Sequence, residues 1–315
     1  MLLNINEPKK LQDKRTIGRW GLCLLLLGFA IDLKAQQQQE FSYTQYMDNL
    51  TPFNQAYSLL DKSGSINAVV RKQFVGIQGA PSTFIFGGNI PIESIGGAAG
   101  ILVMNDKFAI ESNTQFSAYF AKSIQLSDEN FLGVSISGGI KSYVANFSSL
   151  DASDPQFRND VRQTKPNLGF GIMYYSDNYY IGLSMPELTI TGLGTAGVQD
   201  NTNFRNHYYF SGAFITDLAD GIKLKPAAMA AYAKGIPVTV NISGTIFLKD
   251  VVGFGVNYRT DNAAAGILSV NMNSFKLGYS YQFNTSSSKL EGFNNSIHEI
   301  TLTYRFGDNM LPKIL

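Results

Sequence analysis

The stretch Ser274-Phe275-Lys276-Leu277-Gly278-Tyr279-Ser280-Tyr281-Gln282-Phe283-Asn284 decides the fold. Phe275, Leu277, Tyr279, Tyr281 and Phe283 are large and apolar, whereas Lys276, Gly278, Ser280 and Gln282 between them are small or polar. A period of two belongs to a β-strand whose two faces meet different surroundings, because successive side chains point to opposite sides. Val252, Phe254, Val256 and Tyr258 alternate in the same way with Gly253, Gly255, Asn257 and Arg259. So do Ile300, Leu302, Tyr304 and Phe306 with Thr301, Thr303 and Arg305.

Working outward, the same texture places strands near 65–75, 82–92, 97–105, 113–126, 131–146, 166–176, 178–186, 206–218, 222–234, 237–249, 251–260, 263–272, 274–284 and 297–306. Fourteen is an even number, and tilted strands of about 9 to 11 residues suffice to cross a bilayer, so the pattern suits a transmembrane barrel. The links alternate: Ser94–Gly96, Ser127–Asn130, Asp177, Leu218–Gly221, Asp250 and Asn273 are short, and the intervening set contains the long Asn146–Lys165, Glu187–Arg205 and Thr285–Ser296. Short periplasmic turns and long external loops produce this sorting. A soluble sandwich has strands of about five or six residues, shorter than most of these runs. Tyr174, Tyr175, Tyr179 and Tyr180 suit an interfacial girdle. Pro226 interrupts the ninth run, where a proline removes a ladder donor.

With 30 Gly, 16 Tyr, 22 Phe and only 16% charged residues, composition also favours an all-β protein. Lys9, Lys10, Lys14, Arg15 and Arg19 precede an apolar run from Trp20 to Ile31, which is too short to span a membrane and reads as a cleaved signal peptide over 1–35. The expected organisation is then an N-terminal periplasmic or lumen extension over 36–63, a barrel over 64–307 and a C-terminal tail over 308–315. Cleavage removes Cys23, the single cysteine, and with it any disulfide or thiolate chemistry. It also removes six of the 25 Lys/Arg and three of the 24 Asp/Glu, leaving a net charge of −2. Nucleic acid is therefore not an expected partner, since no basic excess remains to neutralise phosphates.

Catalytic constellations are absent from the pattern. The two histidines, His207 and His298, lie far apart, and a barrel-borne hydrolase would need one of them beside a nucleophile or carboxylate. Asp151, Asp154 and Asp160 with Asn159 make an oxygen-rich loop, but their spacing is not that of an EF-hand, and they read as solvated surface. Gly96-Gly97 and Gly138-Gly139 do not join a strand to a helix, so they do not cradle phosphate. Neither an enzyme, a metal nor a cofactor is expected.

Arg71-Lys72-Gln73-Phe74-Val75-Gly76-Ile77-Gln78-Gly79-Ala80-Pro81 resembles the block R-K-Q-W-V-G-[IF]-x-G-A-P of the PorP/SprF family. Further blocks follow in family order: Gln45-Tyr46-Met47, Asn54-Gln55-Ala56-Tyr57, Asn105-Asp106-Lys107, Ala145-Asn146-Phe147 with Leu150, Asp154-Pro155-Gln156-Phe157, and Pro166-Asn167-Leu168-Gly169-Phe170-Gly171. Tyr174-Tyr175-Ser176-Asp177, Tyr180-Ile181-Gly182-Leu183-Ser184 and Tyr304-Arg305-Phe306-Gly307 complete the set. Phe74 replaces the usual Trp, and Gln55 stands where the family has Pro, which leaves the shape of that turn open.

The resemblance implies an outer-membrane barrel of Bacteroidota serving type IX secretion and gliding motility, and the even strand number suits both termini in the periplasm. It implies binding of a secreted polypeptide, such as an adhesin's C-terminal region, or of secretion components, in contact with outer-membrane lipid. The alternative from the residues alone is a passive porin-like channel, its lumen lined by Asn257, Arg259, Thr301 and Arg305. Candidate partner-binding residues are Arg71, Lys72, Phe74, Gly76, Pro81, Asp154 and Phe157, since aromatic and Arg side chains dominate interfaces. On the lipid face, Arg at Leu277 is expected to be costly, and Arg at Ser280 mild.

Overall fold

A computed structural model describes residues 42–150, 159–190, 204–284 and 296–307. The expected signal peptide and C-terminal tail lie outside the described residues. Fifteen strand segments follow in order: β1 Gly64–Gln73, β2 Ser82–Ile92, β3 Gly97–Phe108, β4 Glu111–Gln125, β5 Phe131–Ala145, β6 Val161–Tyr175, β7 Tyr179–Thr189, β8 His207–Phe214, β9 Thr216–Ala219, β10 Ile222–Ala233, β11 Ile236–Leu248, β12 Val252–Arg259, β13 Ala263–Met272, β14 Phe275–Asn284 and β15 Ser296–Phe306. β8 and β9 both pair with β10 and are two halves of one stave, so the wall has the fourteen staves expected. Each stave pairs antiparallel with its sequence neighbours, and β1 pairs with β15 from Gly64↔Phe306 to Gln73↔Ile297, which closes the sheet. Among the described residues no helix is long and apolar enough to cross a membrane.

Alternation sets the two faces. Leu277, Tyr279, Phe254 and Val256 all point outward and are exposed, Val256 by 67%, while Ser280 and Glu299 point inward with 0% and 1%. Closure removes the unpaired edges that an open sheet would expose. Aromatic pairs mark both ends of the outer wall: Phe275 with Tyr304 and Tyr174 with Tyr179 near the turns, Tyr208 with Tyr232 near the loops. Of the four tyrosines assigned to a girdle, only Tyr174 and Tyr179 fit; Tyr175 and Tyr180 have the opposite parity and are buried inside.

Two departures from simple alternation have local causes. Pro226 is held within β10 because the neighbouring stave breaks opposite it: pairing stops at Ala227↔Ala213 and resumes at Leu224↔Thr216. Ile215 at the break donates instead to Asn178 O at 2.8 Å, and Pro226 sits where the ladder to this neighbour is interrupted. β6 begins at Val161 rather than 166, because Arg162, Gln163, Thr164 and Lys165 are polar on both faces and hide the period. Tight turns join the staves, as at Lys249-Asp250, where φ values of 51 and 59 and a bond from Val251 N to Leu248 O make a left-handed hairpin turn. Gly139 marks the closest wall contact, since a Cβ there would stand 2.1 Å from Phe116 O.

Candidate functional site

The segment 42–63 carries neither helical nor strand period, and it runs inside the barrel. Tyr43, Tyr46, Met47, Leu50, Phe53, Ala56 and Leu60 are all buried, packed with wall residues Ile85, Met173, Tyr180, Tyr209 and Met229. Phe53 stacks on Tyr43 at 5.3 Å and tilts against Tyr209 at 4.9 Å. Of the two expected positions, periplasm or lumen, the described part of the extension takes the lumen and plugs it.

Polar contacts fix its register. Glu299 of β15 accepts from Thr44 N and Gln45 N, both at 2.9 Å, and from Gln45 Nε2 at 3.2 Å. Asn54 caps a 3-10 turn by accepting from Ala56 N at 3.1 Å, and its Nδ2 donates to Ile172 O and Leu183 O on β6 and β7. The turn thus forms with Gln55 in place of Pro. Lower in the lumen, Asp48 Oδ1 lies 2.7 Å from Lys276 Nζ and 3.8 Å from Lys225 Nζ, and Lys225 also donates to Met47 O at 2.6 Å. Burial alone pushes the Asp48 carboxyl up, but the ammonium groups of Lys276 and Lys225 outweigh it and hold the group below the usual carboxylate range. Arg305 Nε holds Asp61 at 2.6 Å where the plug leads into β1. Even glycine serves the fit: a Cβ at Gly278 would stand 2.0 Å from Gln45 Oε1.

The wall residues Asn257, Arg259 and Arg305 do face inward, as alternation required. Three of the lumen-facing residues meet the plug: Arg259 donates to Ser42 Oγ, Thr301 to Gln45 Oε1 and Arg305 to Asp61. The expectation for Ser280 changes accordingly. Its side chain is wholly buried opposite Glu299 in the ladder, so a large residue there collides with the plug contacts.

The candidate partner contacts separate. Arg71 faces the lumen and is buried, whereas Lys72 faces outward and is exposed. Phe74 is half-buried at the entry of the β1–β2 loop with φ 46, Gly76 is exposed with φ 99, and Pro81 is buried where the chain re-enters the wall. Asp154 and Phe157 lie outside the described residues. Arg71 belongs to a row of opposed inward residues, Asn113↔Asp106, Asp106↔Thr83, Thr83↔Arg71 and Arg71↔Glu299. Both oxygens of Glu299 are engaged by the plug, and Nε and Nη2 of Arg71 have no hydrogen-bond partner among the described residues. Those two nitrogens form the edge of a guanidinium that grips a carboxylate with two parallel bonds. Asp106, which accepts from Thr83 Oγ1 at 2.6 Å, and Asn113 are half-exposed in the same row. Nearby, Lys141 and Glu187 form a buried pair at 2.7 Å. No group of His, Cys, Asp and Glu fit to hold a metal occurs among the described residues.

Asp48, Lys225, Lys276 and Glu299 escaped the reading of the sequence. The one trace they leave is a charge at an inward position of an otherwise short-chained or apolar stave, as with Lys225 beside Pro226 and the alanines of β10.

Among solved structures, the chain is similar to the TodX deltaS2S3 mutant, a monoaromatic hydrocarbon channel, with TM-score 0.50, 8% identity, and coverage of 82% of this chain and 94% of that one. It is also similar to the CymD monoaromatic hydrocarbon channel, with TM-score 0.49, 12% identity and coverage of 85% and 94%. The outer membrane protein Omp33 of Acinetobacter baumannii follows with TM-score 0.48, 6% identity and coverage of 78% and 99%. At such identities the likeness concerns the barrel fold alone. No curated protein matches the chain. The family profile described as type IX secretion system membrane protein PorP/SprF matches residues 35–304, and the chain belongs to the PorP/SprF family.

Proposed function

We propose that this barrel is a non-enzymatic component of the type IX secretion and gliding apparatus that holds a polypeptide at its long-loop mouth, both termini lying toward the periplasm. The observation that carries this reading is the plug. A lumen filled by its own chain has no wide column of water to conduct solutes, which leaves recognition at the mouth as the work of the barrel. The polypeptide is a secreted protein, such as an adhesin's C-terminal region, or a component of the machinery. Arg71 supports a carboxylate-bearing partner, because a buried guanidinium edge without a partner is costly until a carboxylate reaches it.

The test is affinity purification of the tagged barrel from mildly solubilised membranes, with co-purifying proteins identified by mass spectrometry. The wild type and Lys72→Met should retain a partner, and Arg71→Met should lose it. Recovery of the barrel alone from the wild type, together with open-channel conductance in planar bilayers, would reject this reading in favour of a porin. Equal capture by Arg71→Met would remove Arg71 from the contact while leaving the mouth in place.

A further inference from the structure

The outer wall carries a charged feature that neither the plug nor the mouth uses. Cross-strand pairs Lys72↔Ser82, Ser82↔Lys107, Lys107↔Ser112, Ser112↔Val144 and Val144↔Arg162 form one unbroken row across β1 to β6. Directly opposed residues share a face. This row faces outward, since the residues beside it in each strand, such as Arg71, Gln73 and Thr83, are buried within. Lys72, Lys107 and Arg162 are exposed, and none of them forms an ion pair or hydrogen bond with another described residue. At a strand spacing of about 4.8 Å, the first two stand about 10 Å apart and the last two about 14 Å apart.

Depth is fixed by what lies one step toward the turns. On β1 and β2 the next outward residues are Val70 and Phe84, both about two-fifths exposed and apolar. On β3 to β6 a polar step intervenes, in which Asn105 donates to Thr114 Oγ1 at 2.7 Å and Thr164 donates to Ser142 Oγ at 3.2 Å. Phe116 and Ile140, exposed and apolar, come next. The cations therefore stand just beyond the apolar belt, at headgroup depth, where long basic side chains keep their stems on the wall and their charges in the polar layer. Among the described carboxylates of these strands, Asp106 and Glu111 point to the lumen side, and Asp160, which accepts from Ser148 N and Ser148 Oγ, acts on Arg162 by its charge but forms no direct ion pair with it. Elsewhere on this rim Tyr208, Tyr232, Tyr258 and Phe283 take outward positions, and Lys234 stands exposed on the β10–β11 link. The row of three cations spans six neighbouring staves.

We propose that Lys72, Lys107 and Arg162 form a binding site for the anionic headgroups of membrane lipids in the leaflet on the long-loop side. Charge complementarity selects the occupant: a row of three cations on the lipid-facing wall, without an ion-pair partner among the described residues and spaced like neighbouring headgroups, meets phosphate groups before any soluble partner. Such a site anchors one arc of the barrel in the headgroup layer and sets its tilt.

The full-length barrel in nanodiscs tests this with spin-labelled phosphatidylglycerol and phosphatidylcholine as probes, reading the motionally restricted fraction of each. Wild type should restrict phosphatidylglycerol in preference, and the preference should fall as salt rises from about 50 to 500 mM. Lys72→Gln/Lys107→Gln/Arg162→Gln should reduce the preference by roughly tenfold or more, each cation near a charged surface acting about fivefold. Lys234→Gln, on an exposed link at the same rim, should leave it unchanged. Equal restriction of the two lipids by wild type, or a triple variant that keeps the preference, overturns the proposal. So does abolition of the preference by millimolar inorganic phosphate alone, which would assign the row to a free anion. If the triple variant fails to insert, Arg162→Gln alone gives the decision, with a partial loss required.

Discussion

Replacing Asp48 by Asn leaves the plug nearly isosteric and strips the charge that two buried lysines share. At an effective dielectric of about 20, the separations of 2.7 and 3.8 Å correspond to gross attractions of about 6 and 4 kcal/mol. Desolvation of the three ions offsets much of this, so the pair energies do not convert directly into stability. The loss is governed instead by what remains: Lys276, with a side chain 5% exposed, becomes a buried charge without its carboxylate, and Lys225, with 0%, loses the neighbouring acid. Orphaning a buried charge costs about 3–5 kcal/mol, which shifts the balance between seated and displaced plug by roughly 10²- to 5 × 10³-fold. Single-channel recording in planar bilayers should show a nearly silent wild type and frequent openings for Asp48→Asn, with a lower melting temperature of the folded barrel. Asp48→Leu/Lys225→Met/Lys276→Met removes all three charges together and should restore the closed state, since an apolar replacement of a buried ionic cluster is close to neutral. An Asp48→Asn barrel as silent and as stable as wild type would refute the reasoning. A triple variant as leaky as the single one would show that packing, not charge, had been disturbed.

Acid should act on the same lock. A carboxyl held below its ordinary value contributes fully above that value, about 3.9, and its contribution disappears as pH falls through the lower value it has in the plug; openings should therefore rise below about pH 4 in wild type, and Asp48→Asn should lack this part of the acid response. Leu277→Arg, on the lipid face, should cost about 2–4 kcal/mol of barrel stability if the residue lies near the bilayer midplane, measured by urea unfolding in liposomes; no cost would mean that this face does not meet lipid. Gly139→Ala should lose about 1–3 kcal/mol in the same assay, because the atom it meets is backbone and does not move aside. A tag inserted between Asp151 and Asp160 should be labelled on intact cells and one in Ser127–Asn130 should be protected, the reverse result inverting the orientation.

The wall was legible because a lipid face and a lumen face differ at every residue. β12, β14 and β15 follow their alternating residues to within one position. Legibility faded where that contrast faded. At Arg162-Gln163-Thr164-Lys165 the strand rises above the apolar belt and both faces turn polar, so its start was placed late. At Tyr174-Tyr175 and Tyr179-Tyr180, aromatic residues serve two purposes, one rim ring and one plug contact in each pair, and composition cannot divide them. The period of two could have separated Arg71 from Lys72, since Arg71 shares parity with Val69 and Gln73. The plug was legible only as an extension lying in the periplasm or the lumen. Its side chains fit a cavity assembled from staves across the whole sequence, and nothing local records which of its residues meet the wall.

The clasp of Glu299 on Thr44 and Gln45 joins residues 255 and 254 positions apart, Asp61 with Arg305 spans 244, and Asp48 with Lys276 spans 228. A chain made from its N-terminus thus produces the plug first and the groups that hold it last. Until β14 and β15 exist, residues 42–63 lack the clasps of Lys276, Glu299 and Arg305 and hold to earlier staves such as β6, β7 and β10, and contacts between such distant positions are slow to find because the intervening loop must first be closed. β15 supplies both Glu299 and the seam to β1, so shutting the cylinder and seating its contents belong to one late step of assembly. Delay at that step leaves an unsealed seam and a loose apolar segment at the same moment, and a chaperone acting on this protein would have to shield the two together.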